Sequence, residues 1–293
     1  AAWSGKFLDW NGIQFNGRHG VHLRANGDLH ATNSTGPGWA NPATRSFEDN
    51  QRVEGRDKRK YGPLPAAWGK FRGLHRYEDK VILSYTVGNT PILEYPNSLS
   101  TPDVKTFVRT LNIGPRDSEL DMSVMELPSN ATLEVEAGVA MIQHEDNVLL
   151  VAAPGFEQAA QFSLQDNRLV LTFTKGSDSL KGSVWFTDST VDQDAMTDIN
   201  TQLADLDTDL EVYTHGGPAQ YTTAIDVPAK KWFESEAWLV DELVRPEGNP
   251  WGARTRITGM DFYPDGKSLA ACTWDGDVWK VEGIDTLGQP DGS

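Results

Sequence analysis

Arg18, His19 and His22 fall in one glycine-rich stretch, Gly17-Arg18-His19-Gly20-Val21-His22, with His30 a little further along. Glycine lets a backbone approach a ligand closely. Arginine brings a planar fork of donors, and a neutral imidazole brings one donor and one acceptor. Three readings of this cluster stand side by side. The histidines pin an irregular segment by hydrogen bonding backbone carbonyls, or the group forms a polar pocket for a sugar or a carboxylate, or the imidazoles share a metal ion. No cysteine joins these imidazoles, and no metal is assigned. Ten tryptophans are many for this length, and Trp3, Trp10, Trp39 and Trp68 all lie in the first quarter. Flat indole faces stack on sugar rings, and equally they supply bulk where an irregular layer lacks it. The candidate ligand-binding residues are therefore Arg18, His19, His22 and Trp39, with a carbohydrate as the expected ligand class.

Other residues with chemical potential have plainer readings. Asp205, Asp207 and Asp209 alternate as calcium-loop ligands do, but the glycine at position six and the glutamate at position twelve are missing, which favours a solvated acidic surface. Asp275-Gly276 and Asp265-Gly266 are hairpin signals that need no bound ion. Cys272, between Ala271 and Thr273, is expected to pack as a small buried hydrophobe. As the single cysteine, it excludes an internal disulfide, a Cys-cluster zinc site and a Cys-x-x-Cys-His haem attachment within these residues. Arg109 shares a strand face with Phe107 and Leu111 by alternation. An unpaired arginine there is costly, so it either has a carboxylate partner, with Glu94 and Asp103 among the candidates, or faces an open cleft. No Gly-x-Ser-x-Gly elbow, Gly-x-x-x-x-Gly-Lys loop or His-Glu-x-x-His helix occurs, and no catalytic centre is identifiable in this sequence.

The elements that must position these residues are strands. The 293 residues carry 26 Lys and Arg against 42 Asp and Glu, a charge of −16. Nucleic-acid binding draws on clustered cations, so no nucleic acid is expected as a partner, and no apolar run approaches the 18 residues of a membrane span. Few stretches keep a helical rhythm, whereas short β-branched and aromatic runs between turn clusters recur. Such runs lie from 80 to 87, 106 to 113, 118 to 125, 132 to 135, 148 to 152, 160 to 164, 168 to 173 and 182 to 186. Gln165-Asp166-Asn167 reads as a hairpin turn. From 188 to 211 there are eight acidic residues and no basic one, a spacer with a short helix over 195 to 206. After it, strand-like runs from 257 to 263, 268 to 273 and 278 to 281 are joined by tight turns in the rhythm of one propeller blade. A competing reading makes these strands an extension of the first sheets. One blade cannot bury both faces alone, so the chain is expected to continue past Ser293.

The predicted fold is all-β: an antiparallel β-sandwich with a long irregular N-terminal layer, followed by the first blade of a truncated β-propeller. Residues 1–230 form the wrapped sandwich, with the irregular layer over 1–69 and the acidic spacer over 188–211. Residues 231–293 form a linker and the blade.

Several segments accumulate into a family likeness. They include Trp3-Ser4-Gly5-Lys6-Phe7-Leu8-Asp9-Trp10, Gly17 to His22, Gly36-Pro37-Gly38-Trp39, Tyr61-Gly62-Pro63-Leu64-Pro65 and Leu83-Ser84-Tyr85-Thr86-Val87-Gly88. Phe107-Val108-Arg109-Thr110-Leu111, His215-Gly216-Gly217-Pro218, Asn249-Pro250-Trp251 and Thr273 to Trp279 follow in order. Together they resemble the N-terminal region of unknown function in large exported bacterial haem-binding, membrane-bound-dehydrogenase-type proteins, which precedes a β-propeller and a c-type cytochrome domain. The resemblance implies an exported, periplasmic or extracellular protein. It implies an accessory, substrate-presenting or structural region of a sugar or alcohol dehydrogenase-like parent, an oxidoreductase. The implied partners are the rest of the propeller and a cytochrome domain. Haem c would lie downstream, with no cofactor in this chain. The alternatives are a lectin-like carbohydrate-binding sandwich and, behind it, a sugar-active enzyme.

Overall fold

The computed structural model describes residues 2–3, 8–9, 24–25, 29–31, 36–56, 60–100, 105–136, 138–145, 147–187, 193–235, 238–246 and 248–287. Contacts divide the chain into two units, Ala1–Pro218 and Ala219–Ser293. Among the described residues the protein is mostly β, every strand pairing is antiparallel and no sheet closes on itself.

In the first unit, β1 (Ala2–Trp3), β2 (Leu8–Asp9), β3 (Arg24–Ala25) and β4 (Leu29–Ala31) form two small ladders, β1 with β4 and β2 with β3. β5 (Val53–Glu54) pairs with β6 (Lys60–Tyr61). The longer strands follow: β7 (Gly69–Tyr77), β8 (Lys80–Val87), β9 (Thr90–Ser100), β10 (Lys105–Ile113), β11 (Leu120–Glu126) and β12 (Thr132–Glu136). Then come β13 (Val139–His144), β14 (Asn147–Ala152), β15 (Ala160–Gln165), β16 (Arg168–Phe173) and β17 (Leu180–Thr187). They build an eight-stranded sheet in the order β12-β13-β14-β17-β10-β9-β8-β7 and a three-stranded sheet in the order β11-β16-β15.

Local chemistry accounts for most of these elements. β8 and β16 coincide with the β-branched and aromatic runs that predict them. The β15–β16 hairpin closes through Asp166-Asn167, with Gln165 opposite Arg168 and Asp166 at φ 49°, a left-handed value that Asp and Asn tolerate. β7 and β9 carry no comparable signal. Pro91 and Pro96 argue against a strand at β9, yet it lies between β8 and β10. In β7 the register slips between Phe71 and Gly73, a bulge in a run rich in cations.

The two sheets share one core. Ile92, Leu111, Ile113, Ile142, Val151, Val184 and Phe186 come from the larger sheet, and Leu120, Met122, Leu169, Leu171 and Phe173 from the smaller. β10 is buried on both faces, because Val108 joins Leu99, Ala152 and Trp185 in a second cluster on the far side. α1 (Gln193–Ala204) covers that side with Met196 and Leu203. The acidic spacer thus contributes a helix to the packing of the large sheet.

In the second unit, β18 (Ala229–Ser235) pairs with β19 (Trp238–Leu243), and β20 (Ile257–Phe262), β21 (Ser268–Thr273) and β22 (Val278–Glu282) form a separate meander in that order. Gly266 and Gly276 take φ 65° and 93° at its two turns, as Asp-Gly hairpin chemistry requires. Cys272 corrects the sequence reading: it is exposed. Alternation puts Leu269, Ala271 and Thr273 on the buried face of β21 and turns Cys272 outward. The folded chain is therefore expected to react with one equivalent of a dithiobis-nitrobenzoate reagent without denaturant. A thiol released only on unfolding would contradict this placement.

Candidate functional site

Of the candidate ligand-binding residues, Arg18, His19 and His22 lie outside the described residues. Trp39 is described, and it is only 7% exposed. The segment around it lies along the free edge of β11: Trp39 bridges Met122, Ala40 donates to the Asp121 carbonyl at 2.9 Å, and Ser123 donates to the Gly38 carbonyl at 2.9 Å. The indole packs against Phe173 at 5.8 Å between centroids, and its carbonyl accepts the buried Trp68 indole N–H at 2.9 Å. Neither ring has an open face of the kind a sugar needs.

A buried polar chain starts from Trp39. Its Nε1 donates to the Tyr85 hydroxyl at 3.1 Å, Tyr85 donates to Glu94 Oε2 at 2.6 Å, and Arg109 Nε donates to Glu94 Oε1 at 2.7 Å. Glu94 is thus the carboxylate partner of Arg109, and Asp103 lies outside the described residues. Register explains the choice: β9 and β10 place Glu94 opposite Leu111 and Pro96 opposite Arg109, so the two charged side chains are diagonal neighbours on one face. Their side chains are 11% and 20% exposed. Burial pushes the Glu94 carboxyl up, but the charge of Arg109, its hydrogen bond and that of Tyr85 more than offset this and hold the group below its ordinary range. Burial and the neighbouring carboxylate raise Tyr85 well above the usual phenol value. At neutral pH the chain therefore holds an ionised acceptor, a neutral donor and a fixed cation. That combination orders the core and has no group poised to exchange a proton.

A second ionic group clamps the segment around Arg45 to the small sheet. Arg45 Nε and Nη2 donate to Asp121 Oδ2 and Oδ1 at 2.8 and 2.7 Å, Arg45 also reaches Glu119, and the Thr172 hydroxyl donates to Asp121 at 2.6 Å. Burial raises the Asp121 carboxyl, while the Arg45 and Thr172 hydrogen bonds and the Arg45 charge lower it further, for a net downward shift.

On the other side of the large sheet, α1 and strands β13, β14 and β17 border a half-open cavity of about 660 Å³. Val139, Trp185, Met196 and Leu203 make it largely apolar, and Lys181, Glu157 and Asn200 add polar groups. Lys181 pairs with Asp209 at 2.7 Å, Glu157 accepts the Gly155 N–H at 3.0 Å, and Ser183 shares a hydrogen with Thr110 at 3.1 Å. Glycine is needed in the wall: a Cβ on Gly182 would stand 2.5 Å from the Pro154 oxygen. The cavity is of ligand size. It forms only once the helix lies on the sheet, because its lining comes from residues 138 to 208.

In the second unit, Tyr221, Trp251 and Trp279 cluster with centroids 4.9 to 5.2 Å apart, Tyr221 stacked on Trp279 and Trp251 tilted against both. Two conspicuous sequence segments, Asn249-Pro250-Trp251 and the run ending at Trp279, meet in this cluster. Asp207 and Asp209 accept backbone N–H groups from Asp209 and Glu211, which is turn chemistry. One cysteine cannot supply the two thioether bonds of a Cys-x-x-Cys-His haem attachment, so these residues do not form one.

Residues 1–94 match a family described as a domain of unknown function (DUF6797). No curated protein and no solved structure matches the chain. The match ends at Glu94, inside β9, so its last strands are structurally inseparable from β10 and β17 beyond it. No described helix is long and apolar enough to cross a membrane.

Proposed function

We propose that this chain is the accessory, substrate-presenting or structural N-terminal region of an exported, haem-dependent sugar or alcohol dehydrogenase-like protein. In this reading the first unit is a β-sandwich, and β20–β22 is the opening blade of a propeller. Catalysis, haem c and electron transfer belong to other parts of the parent, in the periplasm or outside the cell. The observation that carries the proposal is the meander β20–β22. It forms its own sheet in a separate unit, with Met260, Phe262 and Val278 exposed and Trp274 71% exposed. A blade that awaits a neighbour has such faces, because its apolar side chains are completed by the next blade. The decisive test is the reading frame beyond Ser293. Further four-stranded repeats and a Cys-x-x-Cys-His motif, with a haem absorption band in the full product, are expected; a stop codon at that point overturns the proposal.

A second reading, a carbohydrate-binding sandwich, is favoured by the cavity beneath α1. Lys181, Glu157 and Asn200 would meet hydroxyl groups there, beside the apolar side chains of Val139, Met196 and Leu203. Titration calorimetry against a polysaccharide panel is expected to give heat that Asn200→Ala reduces at least tenfold in affinity, about 1.4 kcal/mol. Absence of heat with every glycan removes this reading.

A further inference from the structure

We propose that the two free edges of the eight-stranded sheet are complementary, so that β7 of one copy of this chain pairs with β12 of a second copy. β7 and β12 end the strand order, and none of the described strands pairs with their outer sides. All neighbours in the sheet are antiparallel and the strands are even in number, so β7 and β12 run in opposite directions. A copy placed alongside in the same orientation therefore presents its β12 antiparallel to β7, as a continued ladder requires.

Charge favours this pairing over self-pairing of either edge. β7 carries Lys70, Arg72 and Arg76 with no acidic residue, in a chain whose net charge is −16. β12 carries Glu134 and Glu136 with no basic residue. Cations and a bulge are devices that keep an edge single, and here they repel another β7 while attracting the acidic edge. The bulge also sets a length. Regular pairing resumes at Gly73, and the stretch from Gly73 to Tyr77 equals β12 in length.

The faces agree as well. Leu74 is opposite Leu83, in the row that contains Glu94 and the core residue Leu111. Val135 is opposite Ala140, also a core residue. Both side chains therefore project from the core side of the sheet, at its two ends, and there they are 58% and 51% exposed. In the register that sets Leu74 against Val135, His75 meets Glu134 and Gly73 meets Glu136 on the opposite face. A slip of one residue would bring core-side positions against outer-side ones and lose both matches. The contact is heterologous, so it adds copies in a line rather than closing a pair, and its ionic part weakens with salt.

Sedimentation velocity of the full chain over a concentration series tests this, with Leu74→Asp and Val135→Asp as edge variants. Both positions are exposed, and unchanged circular dichroism and melting certify the fold. The wild-type protein is expected to show a weight-average mass that rises with concentration and falls with added salt, and each variant alone to stay at one copy. An equimolar mixture of the two variants retains one intact β7 and one intact β12, and opposes two aspartates at the other junction. It is expected to form a species of two copies and nothing longer. The proposal is overturned by a wild-type protein that stays single throughout, or by variants that associate as the wild type does. Loss in only one variant, which marks self-pairing of that edge, also overturns it, as does a mixture that yields no two-copy species.

Discussion

Replacing Arg109 with methionine is expected to lower the unfolding free energy by about 3–5 kcal/mol, since it strands an ionisable Glu94 beside the core. Replacing both partners, Arg109→Met with Glu94→Leu, is expected to recover most of that loss, because apolar substitutes of similar volume remove the desolvation penalty along with the attraction. Urea titration of the two variants measures both values. A loss below about 1 kcal/mol in the single variant would equate the pair with an ordinary surface bridge. The same group has a pH signature. The folded Glu94 carboxyl titrates below its reference value of 4.5, so the folded state binds fewer protons than the unfolded one near that pH. Its contribution to stability is complete above that value and is lost as pH falls through the lower, folded pKa. Wild-type stability should accordingly fall with acid below about pH 4.5, and Glu94→Gln should remove that part of the slope.

Trp39→Ala is expected to cost about 3–5 kcal/mol of stability, the usual consequence of deleting a large aromatic side chain from a packed core. Its ring touches Phe173, its N–H is donated to Tyr85, and its backbone pairs with Met122 of β11. Trp39→Phe keeps much of the volume and loses the donor, so its cost should be about 1–3 kcal/mol, from one lost hydrogen bond to a hydroxyl that keeps its bond to Glu94, plus a partial void. A tryptophan held out for sugar stacking would behave differently, since exposed side chains can be removed at within about 0.5 kcal/mol. Thermal unfolding separates the cases: a melting point for Trp39→Ala close to that of the wild type would mean that the ring does not pack as described.

The family match sharpens the question of what residues 1–94 do. Their last strands form one end of a sheet whose centre comes from later sequence, and the segment around Trp39 is fastened to β11 by backbone pairing and by the Arg45–Asp121 ion pair. A fragment cut at Glu94 would separate β9 from β10 and Glu94 from Arg109. Functional experiments on the matched region therefore need the whole first unit.

Local sequence was sufficient wherever a structural property resides in neighbouring residues. The hairpin at Asp166-Asn167, the Asp-Gly turns of the second unit, the strands β8, β16 and β21, and the short helix in the acidic spacer were all legible, because alternation and backbone dihedral preference are local. That Arg109 needs either a carboxylate or an open cleft was legible too, since a cation among apolar neighbours costs free energy wherever it sits. Which carboxylate answered was a matter of register between β9 and β10. Tertiary structure alone decided that Trp39 packs inward, that Cys272 faces outward, that β9 runs inside the sheet despite two prolines, and that α1 borders a half-open cavity. An alternating strand specifies two faces but carries no mark for which face another element will cover; that depends on partners distant in the chain, and burial energy is gained only once they arrive.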